Sequence, residues 1–318
     1  MIEVKDLVKK YGSHLAVDHL SFTLESGKIY GFLGPNGAGK STTMNIMTGY
    51  LGATQGSVLI DGHDILKEPE EAKKHIGYLP ELPPLYMDMT VQEYLEFAAE
   101  LKKLPKEKRE SDISEVMKLT RLQDVSDRLI KNLSKGYKQR VGLAQAILGF
   151  PEIIILDEPT VGLDPKQIIE IRELIRTLSK KHTVILSSHI LAEVREVCDY
   201  ILIISKGKLV ASDTPENLEL LRNGASSLEL EVKAVPETAR AILSTIDDID
   251  AMEMHSENEN LTRVKLETKN GADIREAVFY AFAEEKCPLL EIKTAKASLE
   301  DIFMELTQKE ESNDAGNL

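Results

Sequence analysis

Continuous apolar runs alternate with helical periodicities through most of the chain. KIYGFLG, IIILDEP and TVILSSH are short runs dominated by apolar, β-favouring residues. Such runs predict strands buried on both faces, as in a parallel sheet covered by helices. IEVKDLVKKY, LAVDHLSFTLE and SVLIDG predict further short strands around the first of them. TTMNIMTGY places apolar residues at helical spacing, and so do Ile168, Ile171, Leu174, Ile175 and Leu178, which are expected in the core. Between these segments Pro80, Pro83 and Pro84 break the chain, and Thr90-Val-Gln-Glu93 reads as a capping box that opens a helix. Helical pattern resumes from Glu115 to Leu122, so residues 85–150 are expected to form a helical insert. Strands alternating with helices predict an α/β fold.

The pattern changes after DTPENLELLRNG, a predicted short helix running to Gly224. SLELEVKA alternates like a half-exposed strand, PETARAILSTI is helical, and AMEMHS and TRVKLETK are strands flanking the turn SENENL. DIREAVFYAFAEEK is helical and PLLEIKTAKA is a strand. The order strand-helix-strand-strand-helix-strand predicts a small α+β domain of ferredoxin-like type. Ser298-Leu-Glu-Asp301 then caps a last predicted helix, SLEDIFMELTQKE. The expected organisation is a domain over 1–224, a second over 225–310 and a disordered tail over 311–318.

A length of 318 residues fits this division, because it exceeds what one hydrophobic core usually supports. No apolar run approaches the ~20 residues that cross a bilayer, and MIEVKDLVKK lacks a signal-peptide core. Any membrane role must come through a partner chain. The net charge of −14 argues against a general nucleic-acid binder, which needs clustered Lys and Arg. Cys198 and Cys287 have no metal-ligand spacing and read as reduced thiols of a cytoplasmic protein. The seven histidines form no cluster, so no structural metal site is expected.

The chemistry concentrates in GPNGAGKST, Gly34 to Thr42, which fits the phosphate-loop pattern at Gly34, Gly39, Lys40 and Ser41. Its glycines let successive amides turn toward a polyphosphate, and a helix N-terminus adds partial positive charge at the same place. Lys40 can neutralise the β and γ oxygens, and the Ser41 hydroxyl offers a hard oxygen to Mg²⁺. Ser134 as N-cap with Gly136 behind it gives a second bulk-free helix start, a second candidate phosphate site. IIILDEP ends in two carboxylates at the strand edge where ligands bind in such sheets. There Asp157 can hold Mg²⁺, and Glu158 can orient or deprotonate an attacking water. His189 ends another buried strand at the same edge, where an imidazole can donate to a γ-phosphate. Asp164 caps the helix that Pro165 begins, and Tyr11, an aromatic ring before a turn, can offer its face to a purine.

These motifs, in this order, resemble the ATP-binding subunit of an ABC transporter over about the first 220 residues. GPNGAGKST, including Pro35, Asn36, Gly37, Ala38 and Thr42, resembles the Walker A loop, and LSKGYKQR the family signature. IIILDEP resembles the Walker B strand with Glu158 as catalytic glutamate, GLDP the D-loop with Asp164, and His189 the switch histidine. The resemblance implies that Tyr11 stacks on adenine, that Val17 is a further contact to the base, and that ATP and Mg²⁺ are the ligands. Where the family usually has a glutamine reaching Mg²⁺, this chain has Glu81, which still supplies oxygen but adds negative charge. The resemblance implies that one such chain holds half a working site. The family pattern implies that a second ATP-binding subunit, a copy or a paralogue, brings its Ser134 and Gly136 over the first chain's nucleotide. It also implies a separate membrane permease, contacted around Leu85 to Phe97, at the inner face of the cell membrane. The C-terminal part resembles that of the type-2 exporter branch, with structural support or dimer contact as its expected role. Two other classes use the same engine: a nucleic-acid ATPase, which the acidic charge opposes, and a nucleotide-dependent scaffold with little turnover.

Overall fold

The computed structural model describes residues 1–220, 227–258, 260–269, 272–295 and 303. The chain divides into two compact units, Met1–Thr214 and Pro215–Leu318. The boundary expected at Gly224, most of the expected last helix and the tail at 311–318 lie outside the described residues.

The first unit contains two sheets. In one, β1 (Ile2–Tyr11), β2 (His14–Leu24), β4 (Gln55–Ile60) and β5 (His63–Asp64) pair antiparallel in the order β2-β1-β4-β5. In the other, β3 (Ile29–Leu33), β6 (Ile76–Leu79), β7 (Ile153–Leu156), β8 (Thr183–Ser188), β9 (Tyr200–Ser205) and β10 (Lys208–Asp213) take the order β10-β9-β3-β8-β7-β6. Its pairs are parallel except β10 on β9. β3, β7 and β8 are buried at every position, which is why their sequences read as continuous apolar runs. The core forms between the two sheets, with Phe32 wholly buried and Phe22 edge-on to it at 5.4 Å.

Helices join these strands: α1 (Lys40–Met47), α2 (Pro69–Lys74), α3 (Val91–Leu101), α4 (Lys106–Leu119), α5 (Lys135–Ile147), α6 (Pro165–Ser179) and α7 (Leu191–Val197). The capping box of α3 is formed: Glu93 N donates to Thr90 Oγ1 at 3.2 Å, and Thr90 N donates to Glu93 Oε2 at 2.8 Å. α4 begins nine residues before the expected Glu115, because its first turns, KEKRES, carry no apolar stripe and only Ile113 and Val116 are buried. In α6, Ile171, Leu174, Ile175 and Leu178 are buried as expected, whereas Ile168 is only half-buried near the exposed first turn.

The second unit runs α8 (Pro215–Leu220), β11 (Ser227–Val232), α9 (Pro236–Leu243), β12 (Ile249–Asn258), β13 (Leu261–Thr268), α10 (Arg275–Glu284) and β14 (Leu289–Ala295). Its strands pair antiparallel in the order β12-β13-β11-β14. One sheet face presents Leu228, Leu230, Val232, Val264 and Leu266 to Ile242, Leu243, Val278 and Phe282 of the two helices α9 and α10. Each such burial is worth about 1.5–3 kcal/mol, against roughly 0–1 for an exposed ion pair. The apolar face therefore fixes this sheet, and the charged face opposite contributes little to its folding.

Candidate functional site

The strand register assembles the site. Leu33 at the end of β3 pairs with Ser188 of β8, and Leu156 at the end of β7 pairs with Leu186. The segments that follow, Gly34–Thr42, Asp157–Glu158 and His189, therefore leave the sheet at one edge. Gly34 has no room for a side chain, since a Cβ would lie 2.3 Å from the carbonyl oxygen of Ile204. Gly39 sits at φ +104, a left-handed conformation that favours glycine, with the Ala16 oxygen 2.5 Å from where a Cβ would be. Both positions let the loop fold tightly against its neighbours before α1 begins at Lys40. Lys40 Nζ lies across the loop, donating to the Gly34 and Pro35 oxygens at 2.6 and 3.2 Å. Burial pushes its pKa below the ordinary lysine value, while the charges of Glu158 and Asp157 act in the opposite sense.

Asp157 is buried and accepts from Ser187 Oγ at 2.5 Å and from Ser41 Oγ at 3.2 Å. The same Ser187 oxygen accepts from the Glu158 backbone N–H at 2.9 Å. Glu158 has φ 46, a conformation that costs a non-glycine residue of order 1–3 kcal/mol and here sets where its carboxylate points. That carboxylate accepts from His189 Nδ1 at 3.0 Å. Behind it, Thr160 and Ser188 both donate to the buried Glu193 carboxylate at 2.6 and 3.3 Å, which ties the loop after Glu158 to α7.

These groups border a cleft of about 360 Å³. It is lined by the loop from Asn36 to Thr42, by Tyr11, His14 and Ala16 from the β1–β2 hairpin, and by Glu81, Glu158, Val161 and His189. Tyr11 is half-exposed on this lip, with Lys9 Nζ 5.2 Å from its ring centroid. Asp157 joins through Ser41, which together with Glu81 also lines an adjoining groove of about 750 Å³. That groove is larger but carries none of the loop glycines, so anion-binding capacity lies in the smaller cleft.

The structure does not bring every expected residue there. Val17 is wholly buried in the core between the sheets, so its side chain does not reach the cleft, and Ala16 and His14 line it instead. Ser134, Gly136 and Asp164 are absent from the cleft's lining. Ser134 caps α5 by accepting from Tyr137 N at 3.4 Å, and Asp164 caps α6 by accepting from Gln167 N at 2.9 Å. Gly136 lets Gln167 pack closely, for a Cβ there would lie 2.4 Å from Gln167 Oε1. The two motifs thus adjoin each other away from their own chain's phosphate loop. Ser187, His14, Ala16 and Val161 were not expected. Two hydroxyls at the end of an apolar strand were the available signal for Ser187, since buried polar groups need partners.

The family model for "ABC transporter" matches residues 17–161. The chain is 36% identical over 316 residues to the ABC transporter ATP-binding protein YhcH of Bacillus subtilis (strain 168), covering 96% of each chain. It is 35% identical over 308 residues to the bacitracin transport ATP-binding protein BcrA of Bacillus licheniformis, covering 96% of this chain and 97% of that one. Among solved structures it resembles the dimeric post-hydrolysis state of the ATP-binding cassette MJ0796 bound to ADP and Pi. There the TM-score is 0.62 at 26% identity, covering 67% of this chain and 98% of the other.

Proposed function

The chain belongs to the ATP-binding subunits of ABC transporters, and on that footing we propose that it hydrolyses Mg-ATP to drive a separate membrane permease in export. One observation carries this reading: the phosphate loop and the Glu158–His189 pair line a single cleft, and the buried Asp157 is hydrogen-bonded to Ser41 of that loop. The loop amides and Lys40 hold the β and γ phosphates, and the Tyr11 ring stacks on the base. Glu158 takes a proton from water as the water oxygen bonds to the γ-phosphorus and the bond to the ADP oxygen breaks. With Nδ1–H donating to Glu158, His189 donates from Nε2 to a γ-phosphate oxygen only as the imidazolium, in which both ring nitrogens carry protons.

The donor set suits a hard divalent cation. The Ser41 hydroxyl and the Asp157 and Glu81 carboxylates offer oxygen only, and among the described residues no cluster of three or more His, Cys, Asp or Glu forms a protein cage. Ser41, Asp157 and Glu81 would hold Mg²⁺ here, and the ion when bound would supply positive charge to offset that of the triphosphate. Glu81 in place of a glutamine brings one more negative charge to this corner.

Ser134, Gly136 and Asp164 lie outside the cleft of their own chain, which supports the reading that they serve the nucleotide of a second copy. The relative bound to ADP and Pi is itself dimeric. In this reading the chain works on a separate permease and sits at the inner face of the membrane through it; no helix among the described residues is long and apolar enough to cross a membrane. A groove of about 500 Å³ lined by Leu85, Tyr86, Tyr94 and Phe97, with Tyr86 exposed, is the surface we assign to that contact. Transport of bacitracin is named for BcrA and supports export here. The strand order of the second unit supports its reading as a ferredoxin-like domain.

The test is Glu158→Gln. Nucleotide affinity is retained, turnover falls by about 10²–10⁴, the range a positioned base contributes, and the chain becomes trapped as a dimer with ATP on sizing chromatography. Wild-type turnover in the variant, or a strict monomer under saturating Mg-ATP, would contradict the proposal.

A further inference from the structure

The outer face of the C-terminal sheet carries charges in a pattern complementary to its own copy. The pairing register aligns outward positions in rows across β12, β13, β11 and β14. One row reads His255, Arg263, Glu231, Glu291. The neighbouring row reads Glu253, Lys265, Glu229, Lys293. The alternating positions Leu230, Val264, Met254 and Ile292 pack into the core on the other face, and the eight charged or titratable side chains are exposed or half-exposed. Within the face, Arg263 bonds Glu231 at 3.2 Å and Lys293 lies 2.6 Å from Glu291.

A two-fold axis parallel to the strands, midway between two such faces, sets each row against itself in reverse. His255 then meets Glu291 of the second copy, Arg263 meets Glu231, Glu253 meets Lys293 and Lys265 meets Glu229. Every position faces an acid–base partner. A two-fold across the strands would instead set one row on the other, pairing His255 with Glu253 and Glu291 with Lys293 at the edges but placing Arg263 on Lys265 and Glu231 on Glu229 at the centre. Like charges in contact oppose association, so the pattern selects the first axis. We propose that the C-terminal units of two chains stack face to face through this charge pattern, about an axis parallel to the strands. The proposal rests on the reading that the ATPase acts as two copies, and it adds a second contact to the nucleotide sandwich. Exposed pairs are individually weak, so the face contributes chiefly when nucleotide holds two chains together and raises the effective concentration of one C-terminal unit for the other.

The test uses the full chain carrying Glu158→Gln with ATP, and measures the dimer dissociation constant by analytical ultracentrifugation. Arg263→Glu alone, or Glu231→Arg alone, creates two like-charge contacts by symmetry and should raise that constant at least about tenfold. An equimolar mixture of the two variants restores opposite charges between copies while the pair within each chain stays broken, so it should form heterodimers with the parent constant. A second readout needs no nucleotide. In a Cys287→Ser background, a short bismaleimide that spans the roughly 10 Å between stacked sheets should join chains with Glu229→Cys to chains carrying Lys265→Cys in higher yield than it joins either to itself. Variants as tight as the parent, or a mixture no tighter than either variant alone, would overturn the proposal while leaving the nucleotide sandwich standing. Failure of the parent itself to dimerise with ATP would count against the sandwich, and the cross-link would then decide the face by its presence or absence.

Discussion

Ser187 does two jobs with one oxygen: it donates to Asp157 at 2.5 Å and accepts the Glu158 backbone N–H at 2.9 Å. It therefore orients Asp157, the carboxylate proposed to hold the metal, and helps hold the strained backbone that aims Glu158, the proposed base. Ser187→Ala removes both contacts while leaving the phosphate loop intact. The Mg²⁺ concentration for half-maximal ATPase should rise about tenfold, the low end of what loss of a supporting partner does to metal sites, whereas nucleotide binding measured in EDTA should be unchanged. The loop residues were legible in the sequence because their chemistry is contiguous and position-specific. Ser187 was not, because its role depends on β7 lying beside β8, and the apolar runs do not specify strand order. Val17 fails for a related reason. The β1–β2 ladder shifts register between Lys9 and Lys10, so Ala16 and Val17 are buried in succession and simple alternation misplaces the cleft-facing residue.

At the scale of elements, the C-terminal end of α5 is held by a lysine from another helix. Lys102, just past α3, donates through Nζ to the oxygens of Ala146 and Leu148 at 3.0 and 2.8 Å. These carbonyls lack partners within α5, and a cation suits the negative end of a helix. Burial of the ammonium nevertheless brings its pKa down from 10.5 to about 8. The sign follows from proton counting. Between about pH 8 and 10.5 the unfolded chain holds the proton and the folded chain does not, so this group makes stability rise with pH across that window. Below pH 8 both states are protonated and its contribution is flat. Urea unfolding at pH 8, 9 and 10 should show wild type gaining on Lys102→Met by at most about 1.4 kcal/mol per pH unit, and equal slopes for the two proteins would refute the assignment. Helix starts with a complete cap, as at Thr90 and Asp164, were readable from sequence because the cap is a local bond. The first turns of α4 were not, since a solvated helical surface leaves no apolar period to read.

At the scale of the whole molecule, the residues that border the nucleotide cleft all belong to Met1–Thr214, and each unit has a hydrophobic core drawn from its own residues. Units built in this way fold separately as a rule. A chain ending at Thr214 keeps the whole ATPase unit and loses the second unit with its charged sheet face. It should bind ATP like the full chain and, with Glu158→Gln, still dimerise, though with a weaker constant. Calorimetry of the full chain should then resolve two transitions. In the Arg263→Glu variant, whose C-terminal faces do not stack, ATP at a hundredfold excess over its dissociation constant stabilises only the unit that binds it, by about 2.7 kcal/mol, so one transition should move and the other stay. The transition that moves should be the one the truncated chain retains. If both moved together, the nucleotide would be felt in the second unit as well, and the division of the chain into an ATP-binding engine and a separately folding dimer contact would have to be abandoned.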